Sequence, residues 1–171
     1  MHLRSEALGD HAAVRRVHEL AFGQEDEGRL VDALRAGGFA RLSVIAEDEG
    51  GIAGHVLYSE LEIRTPHGIV DALALAPLAV LPERQRQGIG SELVQESLHV
   101  LRQSRHRIVI VLGHPHFYPR FGFSPALARP LASPYAGPHF MALELVPGAL
   151  RGVRGEVHYP PPFQAPARPD A

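Results

Sequence analysis

The chain contains no cysteine and no lysine, and all 17 of its basic residues are arginine. Without a thiol there is no thiolate nucleophile, thiolate zinc site or iron–sulfur cluster, because each needs ionised sulfur as the attacking or ligating atom. Without lysine there is neither a Walker-type phosphate lysine nor a Schiff base, which excludes a P-loop ATPase and a pyridoxal enzyme. Charge is also in no large excess: Asp and Glu number 19, for a net charge of −2. A phosphate-driven nucleic-acid binder would carry a marked basic surplus. Long apolar runs are missing too. The longest, Ala72 to Leu81, is broken by Pro77 and has about half the length that spans a bilayer. Asparagine is absent beside abundant Arg, Ala, Gly and Pro, a composition bias without functional content. The stretch Met1 to Glu6 lacks the apolar segment and cleavage site of a secretory signal. The expectation is a cytoplasmic protein with a small-molecule site, no nucleic-acid partner and no membrane association.

What is present suffices for one core. A chain of 171 residues, 45% hydrophobic, buries enough apolar surface to fold without disulfides or a metal. Asp10 stands where it can cap a helix carrying Val14, Val17, Leu20 and Ala21 at helical spacing, and Glu27 to Ala36 reads as a second amphipathic helix before Gly37-Gly38. From Leu42 the pattern changes to strands: Leu42 to Glu47, a Gly50-Gly51 turn, Ile52 to Arg64, the Pro66-His67-Gly68 turn, and Ile69 through Val80. Pro77 removes a ladder hydrogen bond from the third strand of this meander, so a bulge or splayed edge is expected there. Gly88-Ile89-Gly90 opens a long helix whose Ile89, Leu93, Val94, Leu98 and Leu101 share one face. A buried strand, Ile108 to Leu112, follows, then an aromatic segment His116 to Phe123, a loop Ser124 to Pro138 and a strand from Phe140 to Leu145. The stretch from Gly155, with Pro160-Pro161-Pro162, Pro166 and Pro169, is expected to form neither a helix nor a central strand and to lie over the surface. The pattern is α/β (α+β) with one domain over residues 1–150 and a Pro-rich tail over 151–171.

The segment Leu78 to Ser91 runs from a strand through a polar turn into a helix N-terminus. The first helical turn leaves several N–H groups unpaired, the macrodipole adds partial positive charge, and Gly88 and Gly90 let an anion approach the backbone. Arg84 and Arg86 add formal charge. A dinucleotide fingerprint is disfavoured, because Leu93 occupies the place of its third glycine.

Gln85-Arg86-Gln87-Gly88-Ile89-Gly90 resembles the acetyl-CoA loop of the GCN5-related N-acetyltransferase (GNAT) superfamily, Gln/Arg-x-x-Gly-x-Gly/Ala. Gly113-His114-Pro115-His116-Phe117-Tyr118-Pro119-Arg120-Phe121-Gly122-Phe123 is similar to the segment that many GNAT proteins write Gly-Asp-Pro-x-Tyr-Tyr-x-Arg-Phe-Gly-Phe. Val157-His158-Tyr159 through Phe163 resembles the tail of the YhbS-like predicted acetyltransferases. The resemblance implies a GNAT fold, with a mixed central sheet, a splayed strand pair and flanking helices. It implies acetyl-CoA as co-substrate, with Leu78, Ala79 and Val80 along the pantetheine arm and Gln85, Arg86, Gln87, Gly88, Ile89, Gly90 and Ser91 at the pyrophosphate. A backbone N–H of Ala79 or Val80 would meet the thioester oxygen, and Tyr118, by its motif position, would protonate the leaving thiolate. The acceptor would be a primary amine of a small molecule or peptide.

Three positions depart from the family pattern. His114 and Phe117 replace the usual Asp and first Tyr, and Ala74 stands where several GNAT enzymes carry a carboxylate base. Asp71, Glu60, Glu62 and His55 are the remaining base candidates on the meander. No metal is expected, since His114 and His116 lack further ligands. The competing function is a GNAT-fold module that binds an acyl-CoA or another ligand without turnover, and a homodimer through a sheet edge is a possible assembly.

Overall fold

The structure is a computed structural model that describes residues 1–164; the last part of the Pro-rich tail, 165–171, lies outside the described residues. The elements are β1 (His2–Ser5), α1 (His11–Phe22), α2 (Asp26–Ala36), β2 (Ala40–Asp48), β3 (Gly51–Thr65), β4 (Gly68–Val80), α3 (Ile89–Arg102), β5 (Ile108–Leu112), α4 (Pro125–Ala128), β6 (Leu131–Ala132), β7 (Phe140–Glu144) and β8 (Gly155–His158). The main sheet runs β1-β2-β3-β4-β5-β7. Its pairs are antiparallel except β4 and β5, which run parallel.

Alternation along the long meander strands divides the core between the two sheet faces. Val56 and Tyr58 of β3 join Leu73 and Leu75 of β4 beneath Ile89, Leu93, Val94, Leu98 and Leu101 of α3. Leu57, one residue out of step, meets Val14 of α1 and Val31 and Leu34 of α2 on the opposite face. Gly54 lets α3 settle closely on the sheet, because a Cβ there would stand 2.9 Å from Leu93 Cδ1 and 3.1 Å from Ile89 Cγ2.

Several expectations needed correction. Strand β1 was not anticipated, since four residues with no clear alternation give little pattern to read. Asp10 does not cap α1 through its side chain; its carboxylate accepts from Ala7 N–H at 2.7 Å and from Arg4 at 2.7 and 3.0 Å. The inner face of α1 is Val14, Val17 and His18, while Leu20 is exposed. Leu20 is six residues from Val14 and so falls about 240° around the helix, whereas His18 follows by one turn. The tail does contain a strand: β8 pairs antiparallel with β3 at Glu62, Ile63 and Arg64 and parallel with β6, burying Val157. The prolines begin only at Pro160, so they leave the ladder of β8 intact.

Candidate functional site

The bulge expected at Pro77 is present. Val56 lies opposite Leu78 and Tyr58 opposite Leu75, so Ala76 and Pro77 together face the single residue Leu57. The parallel ladder between β4 and β5 consists of Leu73 opposite Val109 and Ala74 opposite Ile110. Past that point the two strands part, β5 staying with β7 through Leu112 while β4 continues along β3 to Val80. The extra residue re-aims the strand and ends its pairing on one side.

Opposite residues in an antiparallel pair alternate between exchanging both backbone bonds and exchanging none. Leu81 N–H donates to Ala53 O at 2.8 Å, which places Ala79, opposite His55, among the bonded pairs as well. Leu78 and Val80 therefore turn their N–H and C=O groups away from β3, into the gap beside β5. Of the two residues considered for the thioester oxygen, Val80 presents its amide to the gap and Ala79 does not.

At the mouth of the gap the chain folds into a cradle. A short 3-10 turn, Pro82–Arg84, leads to extended Gln85, to Arg86 at φ 63° and to Gly88 at φ 86°. Gly88 accommodates this left-handed backbone without cost, whereas Arg86 adopts it against its own preference. The first intrahelical bond runs from Glu92 N–H to Gly88 O at 3.0 Å, so the N–H groups of Ile89, Gly90 and Ser91 precede it and converge with the helix dipole on the opening. Gln85 donates to Val80 O at 3.0 Å and Gln87 to Glu83 O at 3.3 Å, which makes both side chains braces of the cradle. Arg84 is not available as an anion ligand in this arrangement, because it is paired with Asp48 at 2.6 Å. Arg86 is exposed.

The third wall is the aromatic turn after β5. Phe117 N–H and Tyr118 N–H both donate to His114 O, at 3.0 and 3.3 Å. The Tyr118 ring stands edge-on to Phe117 and Phe123, with centroids 4.9 and 5.6 Å apart. Its floor is Gly113: a Cβ there would collide with Tyr118 Cε2 and approach Cδ2 to 2.7 Å. Burial pushes the Tyr118 phenol up to about 12, and its hydroxyl has no hydrogen bond among the described residues. The space beside Gly90 is bounded by Val80 Cγ2 and Phe117 Cζ, 3.7 and 3.9 Å from where a Cβ would stand. The cradle, the open edge of β4 and the aromatic turn thus meet at one place. Next to it, Leu112, Gly113 and His114 face Pro134 to His139 across a shallow pocket of about 430 Å³.

The base candidates separate widely. Glu62 lies opposite Asp71 at the far end of the β3–β4 hairpin, Glu60 pairs with Arg41, and Glu62 is 3.3 Å from Arg64. His55 alone lies at the level of Ala79, fully buried, with Nδ1 2.8 Å from His18 Nε2 and Nε2 2.7 Å from Ser43 Oγ. His18 was missed in the sequence; its signal was a polar residue on the inner stripe of an amphipathic helix.

Comparison with known proteins agrees with this geometry. Residues 2–126 match the acetyltransferase (GNAT) domain. The chain is 34% identical over 157 residues to the uncharacterized N-acetyltransferase YhbS of Escherichia coli strain K12, covering 90% of each. The crystal structure of the GNAT family N-acetyltransferase YhbS from Escherichia coli in complex with CoA superposes with a TM-score of 0.89 at 31% identity, over 97% of this chain and 93% of that one. A GNAT family acetyltransferase from Brucella melitensis in complex with acetyl-CoA gives 0.79 at 35% identity, over 95% and 97%.

Proposed function

The chain belongs to the GNAT acetyltransferase family, and we propose that it transfers an acetyl group from acetyl-CoA to a primary amine of a small molecule or peptide by direct attack. The observation that carries this reading is the gap between β4 and β5, where the amides of Leu78 and Val80 open directly above the first turn of α3. The pantetheine arm takes the place of an added strand along Leu78, Ala79 and Val80, and the pyrophosphate rests on the backbone of Gln85 to Ser91 with Arg86 beside it.

As the amine nitrogen bonds to the acetyl carbon, negative charge grows on the thioester oxygen, and the fixed N–H of Val80 meets it without reorganisation. The carbon–sulfur bond then breaks and Tyr118 O–H gives its proton to the sulfur. The apolar surroundings that keep the phenol protonated equally disfavour a bare thiolate, so proton transfer replaces a buried anion by a neutral thiol. The acetyltransferase domain spans 1–150, with the segment from 151 laid against it through β8. Its place is the cytoplasm, and its assembly is a homodimer through a sheet edge, read out by mass in solution; the middle of the outer edge of β7 is already taken by Ser124, which exchanges backbone bonds with Ala142 at 2.9 and 3.1 Å.

Calorimetric titration of acetyl-CoA and desulfo-CoA into the wild type and Gly90→Leu tests the donor site. A Cβ at Gly90 makes only ordinary contacts and leucine favours the helix more than glycine does, so the variant folds while its side chain fills the space between Val80 and Phe117. Binding by the wild type and its loss in the variant is expected. No binding by the wild type overturns the proposal. Ala74 in place of a carboxylate favours the second reading, a non-catalytic acyl-CoA-binding module, which tight binding without turnover in an amine and peptide screen would select.

A further inference from the structure

Where β5 ends, Gly113 is tied to His139 by two hydrogen bonds. Gly113 N–H donates to His139 O at 2.9 Å. The return bond comes from the ring: His139 Nδ1 stands 3.1 Å from Gly113 O. A carbonyl oxygen only accepts, so Nδ1 carries the hydrogen, and in the neutral imidazole Nε2 keeps a bare lone pair. That nitrogen has no hydrogen-bond partner among the described residues, and the side chain is exposed. An imidazole held by one nitrogen and open at the other has the form of a general base.

Its position matches that form. Gly113 is also the floor of the Tyr118 ring, so the His139 imidazole and the Tyr118 phenol are fixed against one residue. His139, Gly113 and His114 line the pocket of about 430 Å³ at the end of β5, where that strand has already parted from β4 beyond Ala74 and Ile110. The rest of its wall is apolar. Leu112 is 49% exposed at the end of a strand that is otherwise buried, and Tyr135 stands edge-on to Tyr159 of the tail, with centroids 5.7 Å apart. No Asp, Glu or Arg among the described residues lines the pocket, so an amine with an uncharged, apolar body suits it and only an imidazole can take its proton there. The ring of His114 has no hydrogen bond among the described residues to orient it, whereas that of His139 does. We propose that the acceptor amine lies in this pocket and that His139 Nε2 is the base that deprotonates its ammonium. The inference rests on the acetyl-transfer reading above.

The ammonium N–H breaks, its proton passes through at most one water to His139 Nε2, and the freed nitrogen lone pair attacks the acetyl carbon. As the adduct collapses the carbon–sulfur bond breaks and Tyr118 gives its proton to sulfur. The nitrogen's second proton passes through water to restore the phenol, and His139 returns its own proton to solvent, so one proton is released per acetyl transferred. The charge that His139 carries in between is not a buried one, because the ring is exposed, and Gly113 O accepts from Nδ1–H in both protonation states. The titratable groups that face the ring are His114 and Tyr135 across the pocket, with Tyr118 beyond Gly113.

Two amines separate this role from a structural one: benzylamine, an ammonium at neutral pH with an apolar body, and methoxyamine, already neutral there. His139→Asn keeps an N–H donor for Gly113 O but takes no proton. In that variant benzylamine acetylation falls by about 100-fold while methoxyamine acetylation stays within about threefold. The benzylamine rate recovers as pH rises, and acetyl-CoA affinity, measured by calorimetry, is unchanged. Equal loss of both amines, or loss of neither, overturns the proposal. In His139→Ala, added imidazole enters the open pocket and raises benzylamine acetylation by about tenfold or more; no rescue overturns the proposal as well, and this arm carries the test if His139→Asn does not fold. Nitrogen NMR of the wild type checks the resting tautomer independently, and a hydrogen on Nε2 with Nδ1 bare refutes it. Wild-type protein that does not bind acetyl-CoA sinks the donor reading instead. Binding without turnover of either amine sinks the role of His139 and leaves the donor site standing.

Discussion

Gly113→Ala separates the packing of Tyr118 from its chemistry. Gly113 does not adopt a positive φ, so alanine brings no backbone strain, and the whole effect is the new methyl group. That carbon would collide with Tyr118 Cε2 and stand 2.7 Å from Cδ2, at least about 0.8 Å short of an ordinary carbon–carbon contact of about 3.5 Å. The ring is held on its other edges by Phe117 and Phe123 and must shift with them. Overpacking of this kind costs about 1–3 kcal/mol, which for a domain of this size lowers Tm by about 2–12 °C. A displacement near 1 Å of the proton donor lowers kcat by about 100-fold. The assay is kcat with saturating acetyl-CoA beside thermal unfolding, repeated in a Tyr118→Phe background. The phenylalanine ring meets the same methyl group, so the loss of Tm persists there, whereas kcat, already reduced by removal of the hydroxyl, falls little further. A Gly113→Ala protein with unchanged Tm and kcat refutes the packing argument. One with lowered Tm and wild-type kcat refutes the role of Tyr118 as the acid.

Gly54→Val places a branched side chain against Leu93, Ile89 and Ala79 O; it is expected to cost about 1–3 kcal/mol and to weaken acetyl-CoA binding as α3 is pushed off the sheet, which denaturant unfolding and calorimetry together check. Acid unfolding should start below neutral pH. Burial lowers His18 from its ordinary value near 6.5 to about 3, so between those values the unfolded chain binds the proton and the native protein does not, and stability falls with pH by up to about 1.4 kcal/mol per unit. Burial pushes the Glu6 carboxyl up, but bonds from His55 and Ser43 and the charge of Arg35 bring it down to about 2, which adds a second loss as pH falls from about 4.5 to 2. In His18→Gln the decline between pH 6.5 and 4.5 should become shallower without vanishing, because burial also lowers His55, and an unchanged slope in urea titrations would refute the assignment.

Much of the site was readable because it is written in local backbone chemistry. The glycines at 88 and 90, the polar turn before them and the apolar stripe of α3 occupy consecutive positions, and each constrains its neighbours through one helix terminus. Pro77 announced the bulge in the same way, by the ladder bond it cannot make. The role of Gln85 as a brace on Val80, and the diversion of Arg84 to Asp48, were not readable. Both depend on which group the folded chain brings within reach, and a side chain's type states what it can bond, not what it meets. Strand β8 escaped for a related reason: it is four residues long and is defined by its neighbours β3 and β6.

By itself the sequence determined the class of protein and the local backbone of the proposed donor cradle, since composition excludes chemistries outright and such a cradle needs only a short contiguous segment with the right φ angles. The tertiary structure alone decided which β4 amides open to the gap, because that depends on register with β3. It also set Tyr118 on Gly113, which lies close in sequence but meets the ring only through the fold of the turn. The Glu6–Ser43–His55–His18 chain is the clearest case. Its members come from four separate segments, and a hydrogen bond between residues 37 apart leaves no trace in spacing; only the packing of α1 on the sheet makes two ordinary histidines into one buried pair.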